Sequence, residues 1–101
     1  MTDPLTARAV ISDDVLVQEV SGEAVLLDLA TETYFGLNPA GARFWTLLGR
    51  LGSGARAVST MAAEFEVSAE ELETDMTQFL QHLVAKGLVT LAPADDHSNP
   101  A

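Results

Sequence analysis

DLATETYFGLNPAGARFW, residues 28–45, changes its periodicity halfway along. Ala30-Thr31-Glu32-Thr33 is a polar turn, and TYFGL (33–37) reads as a strand rich in aromatic residues. Asn38-Pro39 then opens a helix. Asparagine is a good N-cap, and proline fits the first helical position, where no backbone N–H bond is lost. The helix PAGARFWTLLGRL carries Phe44, Trp45, Leu47, Leu48 and Leu51, more than one narrow stripe, so it is expected to be buried on two sides. An aromatic strand thus runs into a capped helix with no linker between them.

Working outward, VLVQEV (15–20) and EAVLLDL (23–29) are strand-like, and Ser21-Gly22 between them is a hairpin signal. In the second of these strands Val25, Leu27 and Leu29 share one face, and Ala24, Leu26 and Asp28 the other. With TYFGL they make an antiparallel meander. Residues 1–14 lack firm periodicity and read as a flexible N-terminal arm.

Downstream, Val58, Met61, Ala62 and Phe65 follow helical spacing over 56–65. Ser68-Ala-Glu-Glu71 is a capping box that starts a third helix near Ala69. Its apolar face is Leu72, Met76, Phe79, Leu80 and Leu83. Lys86 and Gly87 end it. LVTL (88–91) is a short strand, and 92–101 a polar, disordered tail. The expected fold is α+β. A three-stranded antiparallel sheet packs on a three-helix, winged-helix-like bundle within one domain, residues 15–91.

The formal net charge is -10. Residues 1–58 carry seven acids and four arginines, and residues 59–101 carry eight acids and Lys86. Nucleic-acid binders neutralise phosphates with clustered Lys and Arg, and no cluster exists here. The absence of cysteine excludes disulfides and thiolate metal sites, and suits a cytoplasmic protein. No apolar run approaches the roughly 20 residues that cross a bilayer, and the N-terminus lacks a signal-peptide pattern.

Catalytic and cofactor motifs are missing. Gly49, Gly52 and Gly54 do not precede Lys-Ser/Thr, so there is no phosphate loop. Glu71 and Asp75 lie four apart on one helix and read as a solvated face. His97 with Asp95 and Asp96 sits in the tail, where no fixed coordination geometry is expected. His82 lacks companion ligands. Phe44, Trp45, Met61 and Met76 read as core. No enzymatic activity, cofactor or metal is expected.

What remains is the sheet edge. If TYFGL lies at an edge, an extended peptide can add to it as a further strand, with the third helix as a wall for its side chains. The combination of "VLLDLATETYFGLNPAGARFWTLL" with "AAEFEVSAEELETDMTQFLQHLVAKGLV" resembles the PqqD-like family of RiPP recognition elements. It is most similar to the stand-alone leader-peptide-binding proteins of lasso-peptide clusters. The likeness spans about residues 12–91.

The resemblance implies a non-catalytic protein that holds the leader segment of a ribosomally made precursor peptide. The leader lies as a strand added to the third strand, in a groove shared with the third helix. The protein then presents it to a separate transglutaminase-like cysteine leader peptidase. Lasso leaders in this family carry a Tyr-x-x-Pro motif that fills an apolar pocket. By position, the strand contacts fall on Glu32, Thr33, Tyr34, Phe35 and Gly36, and the helix contacts on Leu72, Asp75, Met76, Phe79 and His82. Leu72, Met76 and Phe79 divide between pocket and core. Whether Tyr34 or Phe35 faces the groove is open. A PQQ-pathway member serving a radical enzyme would use the same groove. A winged-helix DNA-binding protein fits the helix pair, but its recognition helix (69–86) would hold four acids and one lysine. An edge strand also admits a second copy, giving a homodimer.

Overall fold

The computed structural model describes residues 4–21 and 23–92. The expected tail from residue 93, the His97 cluster, residues 1–3 of the expected arm and Gly22 of the hairpin link lie outside the described residues. The strands are β1 (Arg8–Ile11), β2 (Val15–Val20), β3 (Glu23–Asp28), β4 (Thr33–Leu37) and β5 (Val89–Ala92). The helices are α1 (Pro39–Leu51), α2 (Gly54–Phe65) and α3 (Ala69–Ala85).

β2, β3 and β4 form the antiparallel meander, in that spatial order. Alternation decides which face is buried. Ala24, Leu26 and Asp28 turn toward the helices and are buried, whereas Val25 and Leu27 are half-buried and Leu29 is exposed. Asp28 is the buried acid of the described residues, and the turn that follows satisfies it. Its Oδ1 accepts from the Ala30 N–H at 3.1 Å and its Oδ2 from the Thr31 hydroxyl at 3.1 Å. Glu32 closes that turn at φ 58°, in the left-handed region.

The helices start and stop where their caps dictate. Ser53 and Ser68 cap α2 and α3 through their hydroxyls, and Gly52 ends α1 at φ 70°. Phe44, Leu48, Met61 and Leu80 meet in the centre, joined by Leu26 from the sheet. Phe65, grouped by spacing with the buried face of α2, is instead exposed, because α2 ends there and turns at Glu66. Arg43 of α1 grips Glu64 of α2 through two hydrogen bonds, one of 2.9 Å from Nε to Oε1. These bonds hold the Glu64 carboxyl below the usual carboxylate range.

The N-terminal segment departs from the sequence expectation. Residues 4–11 are not a loose arm: Pro4–Thr6 form a 3-10 turn and Arg8–Ile11 a strand. β1 pairs antiparallel with β5, Arg8 opposite Ala92 and Ile11 opposite Val89. Ala92, expected in the tail, therefore belongs to a strand. The Ala9 N–H also donates to the Gly52 carbonyl at 2.9 Å, which ties β1 to the α1–α2 loop. Four residues are too few to show a period, and their partner is 80 residues away in the chain, so the ladder is illegible locally.

Leu5, Ala7 and Ala9 are buried. Leu5 sits so close to Gly54 that a β-carbon added there would lie 2.8 Å from its Cδ2. Leu5→Ala therefore leaves a cavity between the N-terminal turn and α2, and is expected to cost about 2–5 kcal/mol in a urea titration. A loss under about 0.5 kcal/mol, the range of a surface substitution, would return this segment to the status of an arm.

Candidate functional site

The junction of β4 and α1 sets the geometry. Leu37 is buried, and Asn38 follows at φ -75°, ψ 173°, so the chain stays extended up to the helix. Asn38 Oδ1 accepts from the Gly41 N–H at 2.7 Å, and Pro39 occupies the first helical turn. The strand end and the helix start thus share one surface. α3 passes over them: Phe79 lies edge-on to Phe44, ring centroids 5.8 Å apart at 65°. A β-carbon on Gly41 would sit 3.4 Å from the Phe79 ring and 3.2 Å from Asn38 Oδ1. Glycine at this position lets α3 approach.

A cleft of about 360 Å³ opens at this junction. Gly36 and Leu37 line it from the strand, Asn38, Ala40 and Gly41 from the helix start, and Asp75, Met76 and Phe79 from α3.

The polarity of the β4 edge follows from the register. The Leu29 N–H donates to the Asp14 carbonyl at 2.8 Å, and these residues continue the β2–β3 register, so they are a hydrogen-bonded pair. Such pairs recur at every second residue of an antiparallel ladder. Leu27 and Val25 therefore bond β2, and Asp28, Leu26 and Ala24 bond β4. Their partners are Thr33, Phe35 and Leu37. Tyr34 and Gly36 consequently turn their N–H and C=O groups outward. Among the described residues β4 pairs with β3 alone and lies at the sheet edge.

The side chains alternate in step. Phe35 lies opposite Leu26 and packs on the core, with Lys86 Nζ 5.9 Å from its ring centroid. Tyr34 lies opposite Leu27 on the outer face and is 70% exposed. The choice left open by the sequence has a divided answer: the Phe35 side chain turns toward the helices, and the Tyr34 backbone turns toward the open edge.

The residues expected at the site separate accordingly. Gly36, Asp75, Met76 and Phe79 come together around the cleft, and Thr33, Tyr34 and Phe35 lie along the strand beside it. Glu32 belongs to the turn and not to the strand. Leu72 is buried in the core and does not line the cleft. His82 is exposed in the last turn of α3, outside the cleft lining. Met76 serves both core and cleft. Sequence reading missed Leu37, Asn38, Ala40 and Gly41 as cleft residues. A strand joined to a helix without a linker was the available signal, since it forces both ends onto one surface.

Among the described residues no group of three or more His, Asp or Glu side chains could hold a metal ion. No helix among them is long and apolar enough to cross a membrane. α3 exposes Glu70, Glu71, Glu73 and Asp75, which would repel a phosphate backbone.

Comparison with known proteins identifies relatives of this fold. The family model of coenzyme PQQ synthesis protein D (PqqD) matches residues 23–89, well over half of the chain, and the chain belongs to this family. The structure of TbiB1 in complex with the TbiA(beta) leader peptide is similar, with 34% identity and a TM-score of 0.73 over 90% of this chain and 98% of that one. Lasso peptide synthetase B1, complexed with the leader peptide, shares the fold at 24% identity and a TM-score of 0.74, over 83% of this chain and 99% of that one. No curated protein matches.

The outward and inward N–H groups of β4 make distinct demands. Tyr34→Pro removes an outward donor, and an edge strand tolerates it. Phe35→Pro removes an inward one and leaves the Leu26 carbonyl unsatisfied, at a cost of about 1–3 kcal/mol. Chemical denaturation should rank Phe35→Pro well below Tyr34→Pro. The reverse order would mean that the ladder is shifted by one residue.

Proposed function

We propose that this protein binds the leader segment of a ribosomally synthesised precursor peptide in lasso-peptide maturation, as a strand added to β4, and presents it to a separate leader peptidase. One observation carries the reading. An edge strand with outward backbone groups at Tyr34 and Gly36 borders a side-chain cleft, in a chain 34% identical to a protein solved with a leader peptide. Backbone bonds along β4 give affinity independent of sequence, and the cleft beside them reads side chains. The role needs no catalytic group, and a cysteine-free composition suits the cytoplasm. A second copy would pair at the same edge, so leader binding and strand-mediated dimerisation exclude each other there.

Fluorescence polarisation with a labelled leader from the adjacent precursor gene tests the reading. The leader alone, without the core peptide, should bind. A folded protein that binds no leader would refute it. Tyr34→Pro should weaken binding at least tenfold with the circular dichroism spectrum unchanged. Phe79→Ala should likewise lose more binding than stability, because its ring forms the cleft wall. A loss of fold that fully accounts for the lost binding would make Phe79 a core residue only.

A further inference from the structure

Gly36 is a glycine that the fold does not require. It lies inside β4, where glycine weakens a strand: it brings no side chain to pack, and it loses the most backbone freedom on folding. Two demands account for such a glycine elsewhere, a backbone conformation closed to other residues or a neighbour too close for a β-carbon. Neither holds here. The positive-φ glycines of the described residues are Gly52 and Gly87. A β-carbon built on Gly36 meets no atom within 4 Å, whereas one on Gly41 would lie 3.2 Å from Asn38 Oδ1.

The missing side chain leaves a niche on the outer face of the meander. Gly36 lies opposite Val25, which is half-buried. Tyr34 shares that face two residues earlier and is 70% exposed. Its ring does not fold over the glycine, because nothing among the described residues comes within 4 Å of the β-carbon position. The niche is thus bordered by Val25 across the ladder and Tyr34 along the strand, and it opens toward the free edge of β4.

A niche that opens at an edge is filled from that edge. A peptide strand bonded to Tyr34 and Gly36 sets two of its own residues opposite them. Opposed residues of neighbouring strands share a face, so the residue opposite Gly36 projects on the outer face, away from α3 and the cleft. Neighbouring strands lie about 4.8 Å apart, which lets an aromatic or long side chain lie flat across the glycine and reach Val25. Such a pairing compensates a glycine in a sheet, because the side chain covers backbone that would otherwise face water.

We infer that the outer face of the sheet holds a second side-chain subsite for the bound peptide, floored by Gly36 and walled by Val25 and Tyr34, and that it takes an aromatic or long aliphatic side chain opposite Gly36. This deepens the peptide-binding reading, rests on it, and is continuous with the edge that reading uses. The cleft meets one face of the added strand, and this subsite meets the other.

The test titrates the full chain, isotope-labelled at valine methyl groups, with the leader from the adjacent precursor gene and with leaders in which each residue in turn is alanine. The intact leader should shift the Val25 methyl resonances. One alanine leader, lacking an aromatic or long aliphatic residue, should abolish that shift and lose about three- to fivefold in affinity, the worth of a cross-strand pair. On Gly36→Thr the same alanine change should cost under twofold, because the niche is already filled. Threonine suits a strand and its β-carbon meets open space, so this variant should melt at or above the wild-type temperature. A Val25 resonance that stays in place, a shift that survives every alanine leader, or an alanine loss equal on wild type and Gly36→Thr overturns the inference. The Val25 reading uses the wild-type chain and decides the matter even if Gly36→Thr does not fold. These results are read on a protein that binds its leader, whereas failure of the wild-type protein to bind any leader defeats the functional reading itself.

Discussion

One hydrogen bond organises this molecule: the Asn38 side chain accepting from the Gly41 N–H at 2.7 Å. It lets a helix begin with a single residue, Asn38 itself, between it and the end of a strand. The first turn of a helix carries N–H groups without partners inside the helix, and a connecting loop usually supplies them. Here a single side chain and a proline suffice, so no loop intervenes. The direction of α1 is therefore tied to the end of β4, and the cleft lies in the angle between them. Gly41 completes the arrangement by leaving space for Phe79.

The second constraint is parity. An antiparallel sheet gives each residue two binary properties, the side its chain faces and the edge its backbone faces. The two are locked together along β4. Phe35 and Leu37, which pack inward on the core, and Thr33 at the exposed start of the strand spend their backbone groups on β3. Of the residues with outward backbone groups, Tyr34 keeps its side chain off the helices and Gly36 has none. A one-residue slip would exchange both sets, burying Tyr34 and exposing Phe35. The buried Ala24-Leu26-Asp28 face and the satisfied Asp28 carboxylate hold the register against it.

Much of this was legible in the residues. β2, β4, α1 and the start of α3 fall where alternation, the Ser-Gly link, Asn38-Pro39 and Ser68 place them, because each is set by interactions within a few positions. The family likeness covers the same span, and it drew attention to β4 and α3 together. β1 was not legible: RAVI is a strand only because Val89–Ala92 lies beside it. The site divided along the same line. Phe79 and Met76 could be placed on one helical face, but nothing in the spacing says where a core ends and a cleft begins. Leu72, one turn before Met76 on that face, falls on the core side. Gly41 and Asn38 took on a site role only once α3 was seen to cross them.

The two-stranded sheet of β1 and β5 has a further consequence. It sets Arg8 opposite Ala92, so the first and last strands of the domain lie side by side. It does so in a different sheet from the one that holds β4. Neighbouring terminal strands are the arrangement that makes insertion and circular permutation tolerable in a domain. A connection made at these two strands would leave the open edge of β4 clear, because that edge belongs to the other sheet.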